Sequence, residues 1–295
     1  MDFKNIELGD KDIIEKYFST KYYQGSECTF TNLFVWRRCY KICWAISHEF
    51  LIIKVTRDDI TFVLQPFGGA DEDLPVVIEE LKEEFAGKHF EMRGIYEEMV
   101  PLLKSFLPET TKFIDDRDNW DYVYLRDNLA NLAGRKYHGK KNHANAFRKE
   151  NPDYVFSVIS KDDIADCIAF ADLWCEMKGQ NAEGLRCELC ALEEALKNFD
   201  ILNIRGALIR INGAVQAFTI GEKYNKDMAV IHFEKANPEI RGLYTVINQD
   251  FCAKVWNDVT YINREEDMGL EGLRKAKESY QPEFMVKKYT AVISD

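Results

Sequence analysis

An order of elements that occurs twice constrains this chain more than any single motif. Three short runs rich in β-branched and aromatic residues, at 42–47, 50–56 and 60–67, are joined by tight turns and lead into a helical periodicity at 74–85. The order returns at 204–211, 214–222 and 228–235, followed by a helical periodicity at 243–255. Short runs of this composition, bounded by turn residues, read as strands, whereas apolar spacings of three and four read as helix. Asn212-Gly213 stands between the first two runs of the second set. A two-residue I′ hairpin turn needs positive φ at both central positions, which these residues tolerate. Helical stretches precede each set, at 10–19 and about 32–40, then at 162–177 and 188–197. Ser160, three residues before Asp163, predicts an N-cap for the third of them. The chain is therefore expected to be a structural duplication of the α/β (α+β) class, with two domains, each a mixed, mostly antiparallel sheet flanked by helices. Its 295 residues, 46% of them hydrophobic, suffice for two cores. The expected limits are 1–131 for the first domain, 132–152 for a basic connecting helix that ends at Asn151-Pro152, and 153–295 for the second domain, which carries the functional site.

The formal charge of -11 argues against a protein that coats DNA through its overall field, so an anionic partner has to be held locally. No apolar run reaches the roughly 18 residues of a membrane span, and the acidic start MDFKNIELGDKD lacks the basic flank of a signal peptide. A cytoplasmic protein is expected, and eight cysteines in a chain of this size fit a reducing compartment. Cys187-Glu-Leu-Cys190 has the spacing of half a zinc site, but no second pair completes four ligands, and no metal is expected.

Local charge is concentrated in two places. Residues 135–149 contain six Lys or Arg and two His. On a helix, Lys141, Ala144 and Arg148 share one side, which predicts a positive stripe, with Ala146 and Phe147 toward the protein. Capture of phosphate or an anionic carrier is the functional reading, and a solvated helix balancing Glu150 and Asp153 is the competing one. The second concentration is YINREEDMGLEGLRKAKESYQP, from Tyr261 to Pro282, where Arg264 and Glu265 follow a strand-like stretch, a place where open sheets bind ligands. Glu271 lies four residues before Lys275, so internal ion pairing of a solvated helix also accounts for part of this charge. At the end of the run 228–235, period two puts His232 and Glu234 on one face and Phe233 and Lys235 on the other, so that His232 and Glu234 can act together; pairing of Glu234 with Lys235, Arg264 or another cation is the competing reading. Beyond it, Arg241-Gly242-Leu243 opens a helix, where backbone N–H groups can approach a phosphate.

Four phrases carry a family resemblance: LAGRKYHGKKNHANAFRK (132–149), FTIGEKYNKDMAVIHFEKA (218–236), RGLYTVINQDF (241–251) and YINREEDMGLEGLRKAKESYQPEFMVKKY (261–289). With the duplicated order of elements, the chain resembles tandem GNAT-type N-acyltransferase domains. It looks like the soluble bacterial relatives of the phosphatidylglycerol lysyltransferase C-terminal domain, which are similar to Fem-type aminoacyltransferases. The resemblance implies two GNAT-like domains and transfer of an acyl or aminoacyl group from acyl-CoA or aminoacyl-tRNA to an amine or hydroxyl acceptor on a small molecule, peptide or lipid headgroup. It implies that Glu234, with Glu265 as second candidate, accepts the acceptor's proton and that Tyr280 protonates the leaving group. Arg264, Arg274 and Lys277 would hold anionic groups, His232, Lys235, Arg135 and Lys141 would line the substrate, and Arg241, Gly242 and Leu243 would hold a cofactor phosphate. The sequence departs from the family at two motifs. Arg241-Gly242-Leu243-Tyr244 keeps only fragments of the Gln/Arg-x-x-Gly-x-Gly/Ala loop, and Ser279 replaces the second Lys of Lys-x-Lys-Phe-x-Pro, of which Lys277, Tyr280 and Pro282 remain. The alternative is a binding module that captures an anionic ligand or a tRNA acceptor end without turnover.

Overall fold

A computed structural model describes residues 1–177 and 183–293. The chain divides into two compact units: Met1–Asp121 with Glu266–Leu270 and Val286–Asp295, and Tyr122–Glu265 with Glu271–Met285. This differs from the expected limits. The basic helix belongs to the second unit instead of forming a connector, and the C-terminal segment belongs to the first. The physical reason is strand pairing between residues far apart in sequence, which local periodicity does not record.

In chain order the first unit contains β1 (Lys4–Asn5), α1 (Lys11–Phe18), α2 (Phe30–Trp36), β2 (Cys43–Ser47), β3 (Phe50–Arg57), β4 (Ile60–Leu64), β5 (Phe67–Gly68), α3 (Leu74–Glu84), β6 (Phe90–Tyr96), α4 (Met99–Lys104) and β7 (Lys112–Asp115). There follow β8 (Asp121–Leu125), α5 (Arg126–Asn131), α6 (His138–Glu150), β9 (Val155–Val158), α7 (Ile164–Met177), α8 (Glu183–Lys197), β10 (Arg205–Ile211), β11 (Ala214–Lys223), β12 (Met228–Ala236), α9 (Leu243–Lys254), β13 (Tyr261–Asn263), α10 (Glu271–Glu278) and β14 (Phe284–Val286). Last comes β15 (Lys288–Ile293).

The first sheet has the order β1-β2-β3-β4-β6-β15-β7, with β5 also on β3, and the second has β14-β8-β13-β12-β11-β10-β9. Among the described pairs, β4 runs parallel with β6 and β12 with β13, in a setting of antiparallel hairpins. The two repeats found by periodicity are β2-β3-β4-α3 and β10-β11-β12-α9, and their boundaries fall within one residue of those expected, except that the run expected over 60–67 ends at Leu64, three residues early. The hairpin turn has φ 52° at Asn212 and 82° at Gly213. Ser160 closes a capping box with Asp163 on the 3-10 turn Lys161–Asp163 that opens α7.

Burial follows the patterns that formed the elements. Leu74, Val77, Ile78 and Leu81 put one face of α3 onto Phe50, Ile52, Val63, Met92 and Ile95 of the first sheet. In the second unit α9 buries Leu243, Val246 and Ile247 against Ile209, Ala217 and Ala236, with Phe147 of α6 in the same cluster. Completely buried side chains of this size contribute about 1.5–3 kcal/mol each. The two cores thus hold the sheets rigid, and the polar clusters lie at the ends of their parallel pairs.

Candidate active site

The parallel pairing of β12 with β13 stops after Val230–Asn263, and past that point β12 continues without this partner. Strands that separate beyond their parallel register leave their side chains facing a gap, a usual place for ligands in open sheets. Two cross-strand ion pairs fill this gap. His232 Nδ1 lies 3.0 Å from Glu265 Oε1, and Arg264 Nη2 donates to Glu234 Oε1 at 2.9 Å.

A bulge sets up these pairs. Ile220 pairs with Phe233 and Gly221 with Ile231, which leaves His232 as the extra residue on β12. A Cβ on Gly221 would lie 2.1 Å from the Val230 carbonyl oxygen, so glycine is what permits the close approach. The extra residue breaks the two-residue alternation, and His232 and Glu234 consequently have different partners. Of the two readings the sequence left open, Glu234 makes the pair with Arg264. His232 Nε2 lies 2.9 Å from Glu222 Oε1, so the ring is held between two carboxylates in a buried position. Burial by itself would lower its pKa, but hydrogen bonds to Glu222 and Glu265 outweigh that and raise it to about 9. The ring is therefore a cation at neutral pH, with both nitrogens donating. Glu265 is spent on this ring, and its role as an alternative base is not supported. Its φ of 57° follows from the turn in which its N–H donates to Asn263 Oδ1 at 2.7 Å.

Glu234 is oriented from both sides, with Oε1 on Arg264 and Oε2 accepting from Asn248 Nδ2 of α9 at 3.1 Å. The Arg264 guanidinium carbon stands 4.8 Å from the Tyr280 ring centre and 5.8 Å from that of Tyr124. Burial would lower the Arg264 pKa, but Glu234 more than offsets it, so the charge is secure. Tyr280 is buried, with Thr245 hydrogen-bonded to its hydroxyl, and burial raises its pKa against the pull of Arg264. Lys140, in the first turn of α6, places Nζ 4.0 Å from the Tyr280 ring centre. Burial, with the nearby Arg264 charge, lowers its pKa to about 8, and Glu234 opposes the shift. The arrangement offers a fixed carboxylate to accept a proton, a phenol that is protonated at neutral pH and so able to donate one, and two cations beside them.

Several expected site residues have other duties. Lys235 is buried, paired with Glu188 at 2.5 Å and set 3.8 Å from the Trp174 ring centre. Lys277 directs Nζ to the Arg264 carbonyl at 2.5 Å, which braces the backbone under the site instead of presenting charge to it. At Gly242, φ is 84° and a Cβ would lie 2.3 Å from the His143 carbonyl oxygen. The Leu243 N–H is already given to the Ile240 carbonyl at 3.3 Å, and Arg241 points outward with Nε 3.5 Å from His143 Nδ1. These three residues close a turn against α6, with the Leu243 N–H and the Arg241 side chain engaged within the protein. The expected positive stripe is also divided. Ala144 faces the core and Arg148 ties α6 to Asp250 at 2.7 Å, while Arg135 and Lys141 are exposed with no contact to Glu234 among those described. Arg274 lies half-buried on α10, whose Glu271–Lys275 pair closes at 2.6 Å.

Sequence reading missed Lys140, Glu222, Thr245 and Asn248. Glu222 and Asn248 could have been found as polar residues at core-facing positions of an apolar strand and helix. Lys140 carried no such signal, because its neighbours in the basic run hid it.

The family described as phosphatidylglycerol lysyltransferase, C-terminal, matches residues 20–292. No curated protein sequence matches the chain. Among solved structures, a conserved protein of unknown function from Bacteroides thetaiotaomicron is 37% identical, with 100% of both chains covered and a TM-score of 0.93. L-PGS from Bacillus licheniformis is 18% identical over 96% of this chain and 92% of its own, with a TM-score of 0.68. A tandem GNAT protein from the clavulanic acid biosynthesis pathway is 8% identical over 100% of this chain and 99% of its own, with a TM-score of 0.53, and shares the duplicated fold. With 273 of its residues (20–292) inside one family, the chain belongs to the phosphatidylglycerol lysyltransferase C-terminal family, on a tandem GNAT-like fold.

Proposed function

We propose that this protein is an aminoacyltransferase that moves an aminoacyl group from the ester of aminoacyl-tRNA to an amine or hydroxyl acceptor at the gap between β12 and β13. The observation that carries the reading is the Glu234 carboxylate, fixed by Arg264 and Asn248 beside the Tyr280 phenol. The acceptor nucleophile attacks the ester carbonyl and gives its proton to Glu234 as the new C–N or C–O bond forms. The ester C–O bond then breaks, and the departing ribose oxygen takes a proton from Tyr280, which recovers it through solvent exchange with protonated Glu234. The Arg264 charge favours the anionic oxygen of the intermediate. An acyl-CoA donor would use the same carboxylate and differs only in the leaving thiolate, so it remains the second reading for the donor.

The family's name joins a lysyl donor to a lipid acceptor, and no helix among the described residues is long and apolar enough to cross a membrane. The test therefore offers labelled aminoacyl-tRNA or acetyl-CoA to phosphatidylglycerol vesicles, to free amino acids and to short peptides. We expect label from aminoacyl-tRNA to reach one acceptor class and Glu234→Gln to slow transfer ~10²–10⁴-fold. Unchanged transfer by that variant would remove Glu234 as the base, and label arriving only from acetyl-CoA would replace the donor.

A further inference from the structure

Lys140 belongs to no expected role, and its surroundings are unbalanced. Its ammonium and the Arg264 guanidinium stand over one phenol ring, 4.0 and 4.8 Å from the centre. Glu234, the carboxylate beside them, has one oxygen on Arg264 and the other on Asn248. Arg264 Nη1 is buried and has no acceptor. A buried donor left in this state is unfavourable until an acceptor meets it.

We propose that Lys140 and Arg264 form a subsite for one phosphate ester of the donor, held beside the Tyr280 ring. This rests on the reading of the gap as a donor site and names the group that it grips. A carboxylate ligand would use the two-pronged guanidinium fork, and Glu234 already occupies one prong. What remains is the buried Nη1, with its two N–H groups, and a flexible ammonium. That combination suits a tetrahedral phosphate, whose several oxygens can be met separately by a mobile point charge and by the Nη1 N–H groups. The four-carbon Lys140 stem lets the ammonium leave the ring and follow the ligand. Facing Lys140 are Glu234 of β12, Arg264 beyond β13 and Tyr280 beyond α10. With burial pushing Lys140 down to about 8, its charge is lost as pH rises through that value and the subsite weakens.

Phosphate esters occur both in the 3′ end of tRNA and in coenzyme A, so both probes are used. Binding of an uncharged tRNA acceptor minihelix and of coenzyme A is measured by calorimetry at constant ionic strength, at pH 7 and 9. The proteins are wild type, Lys140→Gln and, as a control on the exposed side of α6, Lys149→Gln. We expect wild type to bind one probe at pH 7 and ~10-fold more weakly at pH 9, the loss that follows from removing most of the charged form. Lys140→Gln should bind that probe ~10-fold more weakly at pH 7 and keep only the pH dependence that His232 contributes near 9. Lys149→Gln should match wild type. The probe that responds identifies the source of the phosphate. Binding by Lys140→Gln equal to wild type at pH 7, or no binding of either probe by wild type, overturns the subsite. These outcomes are independent of turnover: a Glu234→Gln effect with unchanged Lys140→Gln binding sinks only this proposal, and lost binding with no transfer from any donor sinks only the aminoacyltransferase reading.

Discussion

Single residues in this protein are often fixed by one atom of space. Gly242 is an example, with a positive φ and with the His143 carbonyl where a side chain would begin. A sequence reader sees Arg-Gly at a helix start and thinks of phosphate, whereas the tertiary structure uses that glycine to bring α9 against α6. Gly242→Ala should therefore lose stability on the order of 1–3 kcal/mol from the strained φ, with more from the contact. Urea denaturation is the measurement, and a midpoint lower at unchanged slope is the expected result. An unchanged midpoint would return Gly242 to the list of ligand-binding candidates.

At the scale of elements, the bulge on β12 separates what strand periodicity had joined. It sends His232 to Glu222 and Glu265, and leaves Glu234 to Arg264. The ion pair across the gap then acts as a pH-dependent tie between β12 and the segment after β13. The folded-state pKa of His232 is raised from 6.5 to about 9. Its contribution is thus complete below the unfolded value and is lost as pH rises through about 9. A shift of this size corresponds to roughly 3 kcal/mol. Thermal midpoints measured across pH 6 to 10 should fall through this window in wild type. His232→Gln should be less stable at pH 6 and lack the step, and a step retained in that variant would show that another group causes it.

At the scale of the whole chain, β15 lies between β6 and β7, so the C-terminal residues complete the first sheet. They also bring Lys288, buried, to Asp121 at 2.8 Å and to Glu27 at 2.6 Å. Removing one side of such a buried pair costs about 3–5 kcal/mol, because the carboxylates stay behind without a cation. A chain ending at Met285 loses that lysine and the strand together. Hydrogen exchange should then show β6 and β7 unprotected while β10, β11 and β12 keep their protection, and retained protection of β6 would contradict the assignment of β15 to this sheet.

What the sequence determined by itself was the repeat: two sets of hairpin, strand and helix, the Asn212-Gly213 turn, the Ser160 cap, and the family to which residues 132–149 and 261–289 pointed. These depend on neighbours within about four residues, where alternation, helical spacing and turn chemistry act directly. The segments that meet at Glu234, Arg264 and Tyr280 were also legible, because charges ending a strand stand out from an apolar background. Only the tertiary structure decided which charges are used. Lys235, Lys277 and Arg148 looked like ligands and are spent on Glu188, a backbone carbonyl and Asp250. Lys140 looked like one more cation in a basic run and is the one beside the site. A buried charge takes its role from the partners that surround it in space, and those lie beyond the reach of local spacing, from 13 residues away for Lys277 to 102 for Arg148.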